Sequence, residues 1–195
     1  SKDAQQAVFQ IADTQFRAQK YGEAVRAYKD IIQRFPDSAQ LPFAYLRVVH
    51  ATFNAKDDAG AIREAANLLG RFPTAPEATD GLDLMEAVFD RAPELDFRAA
   101  LRAIIEAKPH SGIAGEAQFR LAQRLFDQKK YLEAAAEFQQ FSVDYTDNPQ
   151  LPKAQFLLAE SYFNAQEHKK SIPSYNRLLS NFPKTEHTAR ALFHL

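Results

Sequence analysis

The sequence has no cysteine and no tryptophan among its 195 residues, and only 6 glycines. The absence of cysteine excludes disulfides, a thiolate nucleophile and cysteine-ligated zinc or iron–sulfur sites. So few glycines leave little room for phosphate-binding loops. An excess of charge is also missing, because 24 basic and 25 acidic residues give a formal net charge of -1. This balance removes the electrostatic argument for a nucleic-acid partner. Charges interrupt every hydrophobic run, so no direct membrane insertion is expected.

What the sequence does contain is an internal repeat. One marker is a Phe-Pro pair or its counterpart, which recurs in steps of 37, 36, 37 and 37 residues at Phe35, Phe72, Lys108, Tyr145 and Phe182. A second marker has the same steps and consists of Phe16, Phe53, Phe89, Phe126 and Phe163. Two independent markers that share the same one-residue deletion indicate a tandem array.

Each repeat is predicted to form two helices. In the fourth repeat, apolar residues follow a helical spacing from Ala117 to Phe126, and a second apolar stripe runs from Tyr131 to Tyr145. No segment alternates with a period of two, so we predict an all-α fold without strands. The adjacent carboxylates of Asp57 and Asp58 lie in a predicted turn, where they are expected to start a helix rather than act as an acid and a base.

The order of residues within a repeat resembles the tetratricopeptide signature. The fifth repeat shows it in Leu158, Ala159, Tyr162, Ser171, Tyr175 and Pro183. The resemblance implies an alpha-alpha superhelical solenoid of five helix-turn-helix repeats plus the start of a sixth. We expect one solenoid domain over 1–195, with repeats at 3–39, 40–76, 77–112, 113–149 and 150–186, and with 187–195 beginning a sixth repeat or forming a cap helix. The apolar residues in 191–195 favour a chain that is a fragment of a longer protein.

The repeats have 36 or 37 residues, whereas the standard unit has about 34. Such lengthened units resemble bacterial cell-envelope members of the superfamily, of the type found in the β-barrel assembly lipoprotein and the Tol-Pal coordinator. This resemblance implies a periplasmic location and a part in the assembly or coordination of envelope machinery. The alternative is a cytoplasmic regulatory or adaptor module of a larger enzyme or signalling protein.

The resemblance also implies a non-catalytic scaffold that binds a protein or peptide on the concave face formed by the first helices. The positions that it places toward this groove are Asp13, Arg17, His50, Asn54, Glu86, Asp90, Gln123, Asp127, Glu160 and Asn164. The acidic residues among them favour a partner segment that carries Lys or Arg, which charge reversal at Glu86 and Glu160 should weaken. The alternative is a solvated face. The clamp that receives chaperone C-termini is not expected, because Asp13, His50 and Glu86 stand where it needs Asn, Lys and Arg.

No motif of a hydrolase, a nucleotide-binding loop or a zinc protease is present, and the histidines are scattered. We therefore expect no enzyme, no cofactor and no metal site. The recurring phenylalanines are expected to be core residues rather than a ladder that stacks on a ligand. Phe193 and Leu195 suggest self-association through the C-terminal edge as a further alternative.

Overall fold

The computed structural model describes residues 2–193, and over that range the chain is all-helical with no strand. Its helices are α1 (Lys2–Arg17), α2 (Tyr21–Arg34), α3 (Leu41–Asn54), α4 (Asp58–Arg71), α5 (Pro76–Arg91), α6 (Phe97–Ala107), α7 (Gly112–Asp127), α8 (Tyr131–Asp144), α9 (Leu151–Asn164), α10 (His168–Asn181) and α11 (Glu186–Phe193). Leu195, invoked above for self-association, lies outside the described residues.

The chain divides into two compact units, Ser1–Lys108 and Pro109–Leu195. The first contains three helix pairs, α1 to α6, and the second contains two pairs, α7 to α10, followed by α11. Within the units, most helices pack against the next helix in the chain, and α3 against α5, α4 against α6 and α9 against α11 also make contact. Contacts limited to near neighbours are typical of helical repeats. The predicted fold class, five helix pairs and the start of a further repeat, is confirmed.

The Phe-Pro marker ends the second helix of a pair. Phe35, Phe72 and Phe182 each follow such a helix with φ between -135° and -128°, while their N–H groups still donate to the carbonyl four residues back. The proline that follows disfavours helical backbone at these residues, whose ψ angles are 55° to 64°, and it cannot continue the helix. The marker is therefore a stop signal for the helix.

The turn inside a helix pair has a second recurring geometry. Its middle residue has a left-handed φ of 59° to 63° in four pairs, at Gln19, Lys56, Lys129 and Gln166. The next N–H then donates to a carbonyl five residues back, as Lys20 does to Gln15 at 3.0 Å. This is the usual way in which a helix end satisfies its last carbonyl groups.

The third pair cannot form this turn, because Pro93 stands where the donating residue should be. Proline has no N–H, and it restricts Ala92 before it, whose φ is -130°. The connection lengthens to residues 92–96, and α6 has 11 residues where the other second helices have 14. One proline thus accounts for the irregular third repeat.

The recurring phenylalanines were expected in the core, and this is correct for Phe89 alone, which is 1% exposed. Phe16, Phe53, Phe126 and Phe163 are half-buried. These residues lie in the last turn of a first helix, where the second helix of the pair has only begun. Four of the rings meet the first residue of that helix edge-on, in the pairs Phe16–Tyr21, Phe89–Phe97, Phe126–Tyr131 and Phe163–His168.

Phe53 makes a different contact, because the first residue of the second helix in its pair is Asp58 and not an aromatic residue. The guanidinium of Arg91 on α5 lies 3.9 Å from the centroid of the Phe53 ring. Its Nε donates to Asp58 Oδ1 at 2.6 Å, and its Nη2 donates to the Phe53 carbonyl at 3.0 Å. Asp57 caps α4 by accepting from the Gly60 N–H at 2.9 Å, so the expectation that this carboxylate pair starts a helix is confirmed.

Candidate partner-binding surface

The predicted groove positions form two rows on the first helices of each unit. The residues directly before the first row are all fully buried, namely Ala12, Val49, Met85, Ala122 and Ala159. The first row itself is half-buried and consists of Asp13, His50, Glu86, Gln123 and Glu160. The second row is one turn further on, where Arg17, Asp90, Asp127 and Asn164 are exposed and Asn54 is half-buried. Each first helix therefore carries a buried edge and a polar face beside it.

Two acidic residues of the first row accept hydrogen bonds from buried tyrosines. The hydroxyl of Tyr28 on α2 donates to Asp13, and that of Tyr175 on α10 donates to Glu160. Both tyrosines are fully buried, and burial together with the acceptor carboxylate raises the pKa of each phenol above its ordinary value. In the fourth pair the corresponding second-helix residue is Phe138, which has no hydroxyl, and the row position is Gln123. The carboxylates at 13 and 160 thus serve the fold as well as the surface.

Arg47 on α3 belongs to the same surface, although it is absent from the predicted set. Its Nη2 lies 3.6 Å from Asp13 Oδ1, and its guanidinium lies over the rings of Phe43 and Phe16 at 5.0 and 5.3 Å. The row of the first unit therefore has cations on α1 and α3, at Arg17 and Arg47, beside the carboxylates on α5. A signal was present in the sequence, since Arg47 precedes His50 by three residues and so shares its helix face.

His50 lies one helical turn from Arg47. Burial, and then the positive charge of Arg47, lower the pKa of His50 below its ordinary value, and Asp80 opposes them in part. The imidazole is therefore neutral at physiological pH, and it adds polarity to the row without adding charge.

Asparagine and glutamine side chains form hydrogen bonds along the second row. Asn54 Nδ2 donates to the His50 carbonyl at 2.8 Å, and Asn164 Nδ2 donates to the Glu160 carbonyl at 2.7 Å. Gln123 Nε2 donates to Asp127 Oδ1 at 3.3 Å. These bonds hold the amide groups at the ends of α3 and α9. The carboxylates that this row exposes are those of Asp90 and Asp127.

Within the described part of the chain, no three His, Asp or Glu side chains are grouped so that they could hold a metal ion. None of the described helices has the length and apolar character that crossing a membrane demands. The surface is thus a set of amide, carboxylate and guanidinium groups on helix faces.

Two family models match the sequence. One, YfiO, is described as outer membrane lipoprotein and covers residues 1–93, and the other is a tetratricopeptide-repeat model that covers residues 119–185. No curated protein matches the chain closely enough to count as a relative.

Solved structures with the same fold include three whose sequences are distant. MamA is 13% identical, with 92% of each chain covered and a TM-score of 0.51. YrrB, titled a TPR protein with an unusual peptide-binding site, is 14% identical, with 94% of this chain and 89% of that chain covered and a TM-score of 0.51. The apo form of RapI is 13% identical and has a TM-score of 0.52, and the match covers 94% of this chain but 56% of RapI. At such identities the likeness concerns the fold.

Proposed function

Since the chain belongs to the tetratricopeptide-repeat superfamily, with units like those of YfiO, we propose that it is a non-catalytic scaffold that binds a protein or peptide partner. The partner contacts the two polar rows on the first helices. The observation that carries the proposal is the regular division of these helices into a fully buried edge and a polar, accessible face.

A partner segment that suits the rows of the first unit carries positive charge opposite α5, and a segment that suits the rows of the second unit carries positive charge opposite α7. Asp90 and Asp127 are exposed carboxylates at the ends of those helices. Arg17 and Arg47 lie on α1 and α3, so acidic or polar partner residues fit there. Opposite charges that meet across an interface chiefly raise specificity and the rate of association.

We place this activity in the bacterial cell envelope, where the scaffold assists the assembly or coordination of envelope machinery. The support is the match of residues 1–93 to an outer-membrane lipoprotein family, together with the lengthened repeats. Fractionation of the native host, followed by immunodetection of the full-length protein, tests the compartment. Recovery in the periplasmic or outer-membrane fraction is expected, and recovery in the cytosol alone would contradict the proposal.

The binding surface is tested by charge reversal at exposed acids of the second row. Glu160 is unsuitable, because its substitution would also remove the acceptor of the Tyr175 hydroxyl. Asp90→Lys and Asp127→Lys place a cation near a helix C-terminus, where the helix dipole favours it. Matched controls are Glu106→Lys, an exposed acid at the end of α6, and Asp147→Lys, an exposed acid in a loop.

The full-length protein and these variants serve as baits for affinity capture from the native host, with quantitative mass spectrometry of the captured proteins. We expect the double variant D90K/D127K to capture one or more specific partners in amounts at least tenfold lower than the wild type does. The control E106K/D147K should capture them in wild-type amounts. Equal capture by both double variants would show that the partner does not bind these rows.

A further inference from the structure

The second compact unit contains a cavity of about 230 Å³ that lies away from the polar rows. Its walls come from the second helices α8 and α10, and α9 forms its floor. Leu158 lines this floor, whereas Glu160 of the first row is two residues further along α9, about 200° around the helix at about 3.6 residues per turn. The cavity is therefore a separate feature from the rows assigned to partner binding.

The amide groups that line the cavity are oriented by neighbouring donors. Gln139 Oε1 accepts from the Tyr162 hydroxyl at 3.2 Å, and Gln155 Oε1 accepts from Asn181 Nδ2 at 3.4 Å. Both carbonyl oxygens are engaged, so the NH₂ groups are the donors that these two side chains can give to a ligand.

The serine hydroxyls of the wall are committed to the backbone. Ser142 Oγ donates to the Phe138 carbonyl at 2.9 Å, and Ser174 Oγ donates to the Lys170 carbonyl at 2.8 Å. Because both hydroxyl protons are donated to backbone carbonyls, the donors that remain in the cavity lining are the two glutamine amides and the Arg177 guanidinium.

Arg177 is exposed on α10, and no carboxylate among the described side chains forms an ion pair with it. Beside it the cavity is apolar, with Leu158 buried in the floor and Val143 65% exposed. A wall of donors next to an aliphatic floor fits a ligand that has acceptor oxygens and a small branched hydrocarbon group. With about 30 Å³ for each water molecule, the volume corresponds to roughly eight waters, which is the scale of one amino-acid residue.

We propose that this cavity binds the C-terminal residue of a partner chain, with an aliphatic side chain such as leucine. The terminal carboxylate bonds to Arg177 and the two glutamine amides, and the side chain packs on Leu158 and Val143. The site does not depend on the function proposed above, because it uses different residues and, on α9, a different face of the helix.

The first test measures binding of N-acetyl-leucine to the full ¹⁵N-labelled chain by nuclear magnetic resonance. We expect a Kd on the order of 1 mM for so small a ligand, with shifts of the Gln139 and Gln155 side-chain amide signals. N-acetyl-leucinamide lacks the charge and N-acetyl-glycine lacks the side chain, so each should bind at least tenfold more weakly. Equal binding of the amide, or shifts confined to another part of the chain, would overturn the proposal.

Two variants keep the test specific. Arg177→Gln removes the cation, and Val143→Glu places a competing carboxylate at the rim; both positions are exposed, so the fold should be retained. Each should weaken N-acetyl-leucine at least tenfold, whereas Arg26→Gln, an exposed arginine on α2, should leave Kd unchanged. Unchanged affinity in Arg177→Gln would refute the carboxylate assignment.

A third test distinguishes binding of a peptide C-terminus from binding of a free small carboxylic acid. A five-residue peptide that ends in a leucine carboxylate should bind at least as tightly as N-acetyl-leucine, and the same peptide with an amidated end should not bind measurably. If 4-methylpentanoate binds but neither peptide does, the cavity accepts free acids and the proposed terminus is wrong.

Discussion

The hydroxyl of Tyr28 on α2 donates a hydrogen bond to the carboxylate of Asp13 on α1, and Tyr175 on α10 repeats this relationship with Glu160 on α9. In both pairs a fully buried phenol is satisfied by a half-buried acid of the polar row. An acid at these positions is therefore explained by the core before any partner is considered. These two first-row acids thus differ from Asp90 and Asp127 of the second row, whose side chains are exposed.

The Tyr28–Asp13 bond leads to a double-mutant prediction. Asp13→Ala leaves the buried Tyr28 hydroxyl without its acceptor, which should lower the free energy of unfolding by about 1–3 kcal/mol. Tyr28→Phe removes the hydroxyl, so Asp13→Ala should cost less in that background. Urea unfolding followed by circular dichroism measures all four proteins. The same cost of Asp13→Ala in both backgrounds would show that the two side chains are not coupled.

His50 gives the protein a pH dependence near neutrality. Burial and Arg47 lower the pKa of His50 in the folded state, so between that pKa and 6.5 the unfolded chain binds more protons than the folded chain. The stability supplied by neutral His50 is thus complete above about pH 6.5 and is lost as the pH falls toward the folded pKa. His50→Gln should flatten this part of the profile in urea unfolding at pH 5 to 7.5.

A titration of the His50 ring by nuclear magnetic resonance checks the cause directly. The wild-type pKa should lie below 6.5, and Arg47→Gln should raise it, because Asp80 then remains as the charge that favours protonation. A wild-type pKa at or above 6.5, or no change in Arg47→Gln, would contradict this account.

The sequence was sufficient for the repeat, the helix pairs and the buried edge of each first helix, because all of these follow from spacing. It was insufficient for the half-buried phenylalanines Phe16, Phe53, Phe126 and Phe163, since periodicity identifies a helix face but does not reveal how much of a ring the next helix covers. Arg47 and the irregular third pair were missed for different reasons. Arg47 lies outside the two positions that the family pattern emphasises, whereas the effect of Pro93 depends on a turn geometry visible only in the other four pairs.

Arg91 should stabilise the first unit through its contacts with Phe53 and Asp58. The side chain is 23% exposed and makes charge-assisted bonds as well as a contact with the ring, so Arg91→Ala should cost about 1–3 kcal/mol of unfolding free energy. Arg91→Lys should recover only part of this loss, because an ammonium group cannot make the forked contact.

The control for Arg91 is Arg63→Ala in α4. Arg63 is 66% exposed and lies 3.9 Å from Glu64, so its loss should change the free energy of unfolding by no more than about 0.5 kcal/mol. Urea unfolding compares the three variants with the wild type. Equal costs for Arg91→Ala and Arg63→Ala would show that the clamp on Phe53 contributes nothing beyond an exposed ion pair.

Two glycines of the first unit should respond to alanine in opposite directions. A Cβ at Gly81 on α5 would lie 2.8 Å from Cδ2 of Leu68, which is fully buried on α4 and has little room to move. Gly81→Ala should therefore lower the free energy of unfolding by about 1–3 kcal/mol through overpacking. At Gly70, near the end of α4, a Cβ would meet nothing within 4 Å, so Gly70→Ala should raise stability by about 0.5–1 kcal/mol through helix propensity. Thermal unfolding of the two variants compares the signs, and a stabilising Gly81→Ala would mean that α4 and α5 are not packed closely at this point.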